Sequence, residues 1–134
     1  MAVSNDLPVT VPRSVVMLSP DADLLAHLRA WLRDDKRFIE TDEGLHCDGS
    51  SAPLTNIYPV DNPASDWENW DAESTGIENP QSMTTLIFEC RSPKWVAEVG
   101  TLIAVSTDKP VWFVDSADVE WPVDRVNPKQ VALA

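Results

Sequence analysis

Two histidines, His27 and His46, and two cysteines, Cys47 and Cys90, carry the side chains of this 134-residue chain best suited to nucleophilic catalysis or to holding a soft metal. A thiol or hydroxyl nucleophile needs a base within hydrogen-bond reach. His46 directly precedes Cys47, but neighbouring side chains in an extended segment point to opposite faces, so the two make a poor dyad. No sequence pattern ties His46 to Cys90, or His27 to either cysteine. The G-x-S-x-G elbow of serine hydrolases does not occur. Four Cys and His residues spread from 27 to 90 lack zinc-ligand spacing. Asp66, Glu68 and Asp71 superficially resemble a calcium loop, but the required glycine and terminal glutamate are missing. The four glycines, Gly44, Gly49, Gly76 and Gly100, form no phosphate-cradling motif. Carboxylates are too abundant for any one pair to stand out as a glycosidase couple. The expectation is therefore no catalytic, cofactor-binding or metal-binding residue, with Cys47 and Cys90 as reduced, partly buried thiols. His27 reads as a helix-boundary residue.

Charge is the stronger signal. The net charge is −12, and residues 38–90 hold eleven Asp or Glu with no Lys or Arg, while the remainder of the chain is close to neutral. Such a surface repels nucleic acid and anionic membranes and attracts basic proteins. The ten cations form no stripe interleaved with aromatics, as a nucleic-acid surface would. No run approaches the length of a membrane span, and the N-terminal residues lack the basic and apolar regions of a secretory signal. A cytoplasmic protein without membrane or nucleic-acid partners is expected.

Within the acidic span, the tryptophans narrow the choice of contact surface. Of six, Trp31, Trp95 and Trp112 fall on predicted elements at core-suited positions, and Trp121 ends a predicted strand. Trp67 and Trp70 lie in a stretch from about 59 to 82 that holds three prolines and shows no strand alternation. Tryptophan is enriched among interface hot spots, and surrounding acids steer a basic partner. The expected partner-binding set is Asp66, Trp67, Glu68, Trp70, Asp71, Glu73 and Glu78. The competing reading folds the two indoles back to cap the core.

The elements that must carry these residues are marked by two similar strand–Ser–Pro–helix segments. Val15-Val16-Met17-Leu18 precedes Ser19-Pro20, and Leu86-Ile87-Phe88-Glu89-Cys90 precedes Ser92-Pro93. Serine suits an N-cap and proline the first helical position. Asp21 and Asp23 would favour the positive end of the first helix. Apolar stripes then predict helices at about 20–34 (Leu24, Leu25, Leu28, Trp31, Leu32) and 93–106 (Trp95, Val96, Val99, Leu102, Ile103). Gly100, unfavourable in a helix, marks a close helix–sheet approach. Further strands are expected at 37–40 and 54–58, with a hairpin over 111–121 turning at Asp115–Asp118. The chain reads as a single α+β domain over residues 1–134. Its expected form is a two-layer sandwich with two helices on one face of a mixed or antiparallel sheet. A ferredoxin-like split βαβ order is the leading topology, with a different strand order as the alternative.

Small size, strong acidity, an α+β domain and the lack of a catalytic motif together resemble the immunity proteins that neutralise bacterial polymorphic toxins. The resemblance implies a stoichiometric inhibitor that masks a toxin's active site or substrate groove. A nuclease toxin, with its basic groove, would suit an acidic inhibitor, and Lys36, Arg37 and the other cations would then be peripheral. A phage-type DNA mimic acting on a host defence system is a second possibility, although its charge should spread over strands and helices. A small ligand-binding or enzymatic α+β domain is a third, and it would need an apolar pocket with converging polar groups.

Overall fold

The computed structural model describes residues 13–60 and 80–133. Among these residues seven strands form one sheet, antiparallel throughout, with two helices as connections. Strand β1 (Ser14–Ser19) leads to α1 (Leu24–Trp31), then β2 (Ile39–Glu40), β3 (Leu45–Cys47) and β4 (Thr55–Pro59). Strand β5 (Thr84–Glu89) leads to α2 (Pro93–Ala104), then β6 (Trp112–Val114) and β7 (Glu120–Pro122). The strand order is β2-β3-β4-β5-β1-β6-β7.

The α+β class matches the reading of the sequence, and to the four strands β4-β5-β1-β6 the sheet adds β3 and β2 beyond β4 and β7 beyond β6. Strands β1 and β5, which feed the two helices, lie side by side antiparallel, with Val16 opposite Ile87. Two split units interleave. Strands β1 and β4 are both antiparallel to β5, so they run parallel with β5 between them, and the segment that joins them contains α1. Strands β5 and β6 are both antiparallel to β1, so they run parallel to each other with β1 between them, and α2 joins them. Strand β3, too short to register as a strand in the sequence, brings β2 into the sheet and makes it an edge.

Alternation along the strands sorts the side chains by face. Val15 and Met17 of β1, Leu86 and Phe88 of β5, Ile57 of β4 and Phe113 of β6 enter one cluster with Leu24, Leu28 and Leu32 and with Trp95, Val96, Val99 and Ile103. Leu28 and Val99 are both fully buried, as the two apolar stripes require. Phe88 and Phe113 meet edge to face at 5.6 Å. On the opposite face, Leu18 and Val114 are buried among Val16, Met83 and Trp112.

The two Ser-Pro segments end differently. Ser92 caps α2 as expected, its hydroxyl accepting from Trp95 N at 3.2 Å. Ser19 does not cap α1. Its hydroxyl donates to Pro110 O (2.7 Å) and accepts from Asp21 N, so β1 runs through it and the helix begins only at Leu24. Asp21 organises that turn instead, accepting from Asp23 N (2.9 Å) and from His27 Nδ1 (2.6 Å). Burial pushes the Asp21 carboxyl up, but these donors outweigh it and hold it below the usual carboxylate range. At the other end, the chain turns after Trp31, short of the expected 34.

Gly100 does mark a close approach. A Cβ there would overlap the carbonyl oxygen of Val123, in the 3-10 turn after β7, and would press on the Phe113 ring at 3.2 Å. The helix thus touches the turn beyond the sheet as closely as the sheet itself.

Candidate functional site

The seven residues expected to bind the partner, Asp66, Trp67, Glu68, Trp70, Asp71, Glu73 and Glu78, lie outside the described residues. The other candidates lie within them, and the structure separates them from one another.

Cys47 and Cys90 are free and buried on the helix-covered face. Cys47 faces Thr55 across β3–β4, and Cys90 follows the Asn56–Glu89 pair, so the two thiols flank Thr55 from strands on either side of β4. Two strand spacings separate their backbones by about 10 Å, beyond the roughly 7 Å that a disulfide can bridge. Burial pushes the Cys47 thiol up to about 11 and raises that of Cys90 as well, which disfavours thiolate in both. Thr55 accepts from Trp95 Nε1 at 2.9 Å, so the indole lies over this row. Neither histidine meets a thiol. His27, half exposed on α1, is held by Asp21 and stacks on Trp31 at 5.5 Å.

His46 belongs to a different group, on the face away from the helices. Positions His46 of β3, Asn56 of β4 and Glu89 of β5 are cross-strand partners, and Tyr58 lies two residues along β4 on the same face. His46 Nδ1–H donates to Asn56 Oδ1 (2.8 Å), Asn56 Nδ2–H donates to Glu89 Oε1 (3.2 Å), and Tyr58 Oη–H donates to Glu89 Oε2 (2.7 Å). A chain of directional bonds therefore converges on one half-buried carboxylate. The hydrogen bond to Glu89, with burial and the charges of Glu89 and Glu43, pushes the Tyr58 phenol up to about 12.

Two cavities open beside this row, and Asn56 and Glu89 line both. The first, about 280 Å³, is chiefly apolar through Pro53 and Leu54, with Arg13 and Arg91 at its side. The second, about 310 Å³, is chiefly polar, between the β2–β3 turn (Thr41, Glu43) and Tyr58. That turn is pressed onto β4, since a Cβ at Gly44 would overlap the carbonyl oxygen of Ile57. Gly44 N donates to Thr41 Oγ1 and Thr41 N to Gly44 O, both at 2.9 Å, which closes the turn and sets Glu43 beside the cavity.

Two of the cations around α1, Arg33 and Arg37, form ion pairs. Arg37 binds Asp35 (2.7 Å) and Glu98 (2.8 Å) and lies over the Trp95 ring, Arg33 meets Glu40 (3.5 Å), and Arg29 donates to Thr41 O (3.1 Å). Among the described residues, Asp42, Glu43, Asp48 and Glu89 form no ion pair. Within the acidic span these four lie on the β2–β3–β4 side of the sheet and the neighbouring end of β5, while Asp23, Asp34, Asp108, Asp115, Asp118 and Glu120, which also form no ion pair, lie elsewhere.

The polar row has little trace in the sequence. Its one signal is the alternation of Thr55-Asn56-Ile57-Tyr58, which puts Asn56 and Tyr58 opposite the core residues, but only the strand register adds Glu89 and His46. No group of three or more His, Cys, Asp or Glu among the described residues could hold a metal ion. No described helix is long and apolar enough to cross a membrane. No protein-family model, curated protein or solved structure matches the chain.

Proposed function

We propose that this chain is a non-catalytic binding protein of the cytoplasm that inhibits a basic partner protein, in the manner of an immunity protein masking the active site of a toxin. The observation that carries the reading is the segregation of charge. Residues 38–90 bear eleven acids and no Lys or Arg, and the described part of that span presents Asp42, Glu43, Asp48 and Glu89 without an ion-pair partner. Net charge of this kind is unfavourable to the folded chain through self-repulsion, and a basic surface relieves it. The buried, high-pKa thiols and the histidines tied to Asp21 and Asn56 supply no nucleophile–base pair among the described residues.

The contact would centre on Trp67 and Trp70, with Asp66, Glu68, Asp71, Glu73 and Glu78 around them. In this reading Trp67→Ala and Trp70→Ala each weaken partner binding by about 2 kcal/mol or more, the scale of an interface anchor. Thermal stability changes little in both. Charge reversal by Glu68→Lys and Asp71→Lys also weakens binding. Calorimetric titration of the partner captured from lysate, beside thermal unfolding of the same four variants, measures both quantities. A stability loss of roughly 3–5 kcal/mol at both tryptophans, with affinity kept in the charge reversals, would make the indoles core caps and remove this interface.

A further inference from the structure

We infer that the polar cavity between the β2–β3 turn and β4, walled by Glu43, Tyr58 and Glu89, receives the guanidinium group of an arginine side chain from the basic partner. The inference rests on the binding-protein reading and adds to it a site on the described surface, together with the chemistry of its occupant.

Three observations select a cation for this cavity. Its ionisable walls are Glu43, Glu89 and the Tyr58 phenol, and no Lys, Arg or His lines it among the described residues. Both carboxylates act on Tyr58, whose ionisation is pushed well up, so the potential at the cavity is negative. The neighbouring apolar cavity is lined by Arg13, which would turn a cation away from that side of Glu89 and toward Glu43.

The geometry favours arginine over lysine. Glu89 is held in place by Asn56 at one oxygen and Tyr58 at the other. Each carboxylate oxygen can accept two hydrogen bonds, so acceptor capacity remains on both oxygens. A guanidinium offers paired, coplanar N–H groups that can reach both oxygens of one carboxylate, whereas an ammonium binds as a point charge. Tyr58 also lines the cavity, and an aromatic side chain is a favourable neighbour for a guanidinium. Glu43 is kept at the mouth by the turn that Gly44 allows to press against Ile57.

Tyr58 is the only tyrosine in the chain, so tyrosine labelled with ¹³C in the ring gives one set of NMR signals located at this cavity. The probes are three blocked tripeptides, Gly-Arg-Gly, Gly-Lys-Gly and Gly-Glu-Gly. The arginine peptide should shift the Tyr58 signals saturably with a Kd of about a millimolar, on the scale of roughly −4 kcal/mol. The lysine peptide should bind about fivefold or more weakly, and the glutamate peptide should leave the signals in place. Glu43→Gln, at an exposed turn position that forms no ion pair, should weaken the arginine peptide about fivefold, and Glu89→Gln should weaken it further. Unmoved Tyr58 signals, equal shifts from the arginine and lysine peptides, or full affinity in both variants would overturn the inference. If the Glu43→Gln, Glu89→Gln double variant still bound the captured basic partner at full affinity, the cavity would be excluded while the charge-based reading stood. Failure of the unmodified chain to bind any basic protein would defeat both.

Discussion

Replacing Asp115 with alanine should cost about 4 kcal/mol of stability, enough to unfold much of a domain this size. Asp115 is 5% exposed and sits where the β6–β7 hairpin turns. Its Oδ1 accepts from Ala117 N (2.9 Å) and Val119 N (3.0 Å), and its Oδ2 from Trp121 Nε1 (2.9 Å) and Ala132 N (3.0 Å). One carboxylate thus closes the turn, orients an indole and ties down the segment near residue 132. Alanine leaves four donors without this acceptor, and each hydrogen bond to a charged group is worth about 1.5–3 kcal/mol, with partial recovery from water. Asp115→Asn should also be costly, because its amide would turn an N–H group toward two donors that Oδ2 now satisfies. Burial raises the Asp115 carboxyl, but the bonds from Trp121, Ala132, Val119 and Ala117 outweigh it and hold its pKa below 3.8. A carboxylate depressed on folding adds stability above its unfolded pKa and loses it as pH falls through the folded value. The gap between the unmodified chain and Asp115→Ala should therefore narrow below about pH 3.8. Urea unfolding at neutral pH and at about pH 3 measures both effects. An alanine variant within about 1 kcal/mol of the unmodified chain at neutral pH would show that the turn holds without its anchor.

Gly100→Ala should destabilise by about 2–3 kcal/mol, against the sign that helix propensity alone gives. In an exposed helix the change would gain about 1 kcal/mol. Here the added methyl would overlap Val123 O and crowd Phe113 Cε2 at 3.2 Å, both buried. Backbone cannot rotate away as a side chain can, so α2 must lift from the Val123 turn and open the contacts of Val96, Val99 and Ile103. Thermal unfolding gives the answer in its sign, since a raised Tm would mean that α2 does not pack on Val123.

The two helices, the α+β class and the Asp115–Asp118 turn are legible in the sequence because their determinants are local. Leu24, Leu28 and Leu32, or Val96, Val99 and Ile103, declare a face within one segment, and the Ser92 cap acts within three residues. The start of α1 is not legible. Whether Ser19 caps a helix depends on Pro110 O, 91 residues away, which draws its hydroxyl off. Strand β3 has only Leu45-His46-Cys47 between two turns, too few residues to show alternation, so the edge that carries the acids is hidden with it. The His46–Asn56–Glu89–Tyr58 row depends on pairing across 33 residues between Asn56 and Glu89, and no local pattern specifies that register. Charge segregation is legible at once, because counting Asp, Glu, Lys and Arg along the chain requires neither fold nor register. Trp67 and Trp70, singled out by composition, lie outside the described residues and are reached by the binding variants alone.

Recognition of a basic partner through charge is tested most directly by the association rate of the captured partner, measured by stopped flow at about 50 mM and about 500 mM salt. Exposed charges are screened over roughly 10 Å at 0.1 M and about 3 Å at 1 M, so steering by a surface of net charge −12 weakens across this range. The association rate should fall about tenfold or more, while the dissociation rate changes far less. An association rate unchanged within about twofold would contradict electrostatic recognition and, with it, the proposed role of the acidic span.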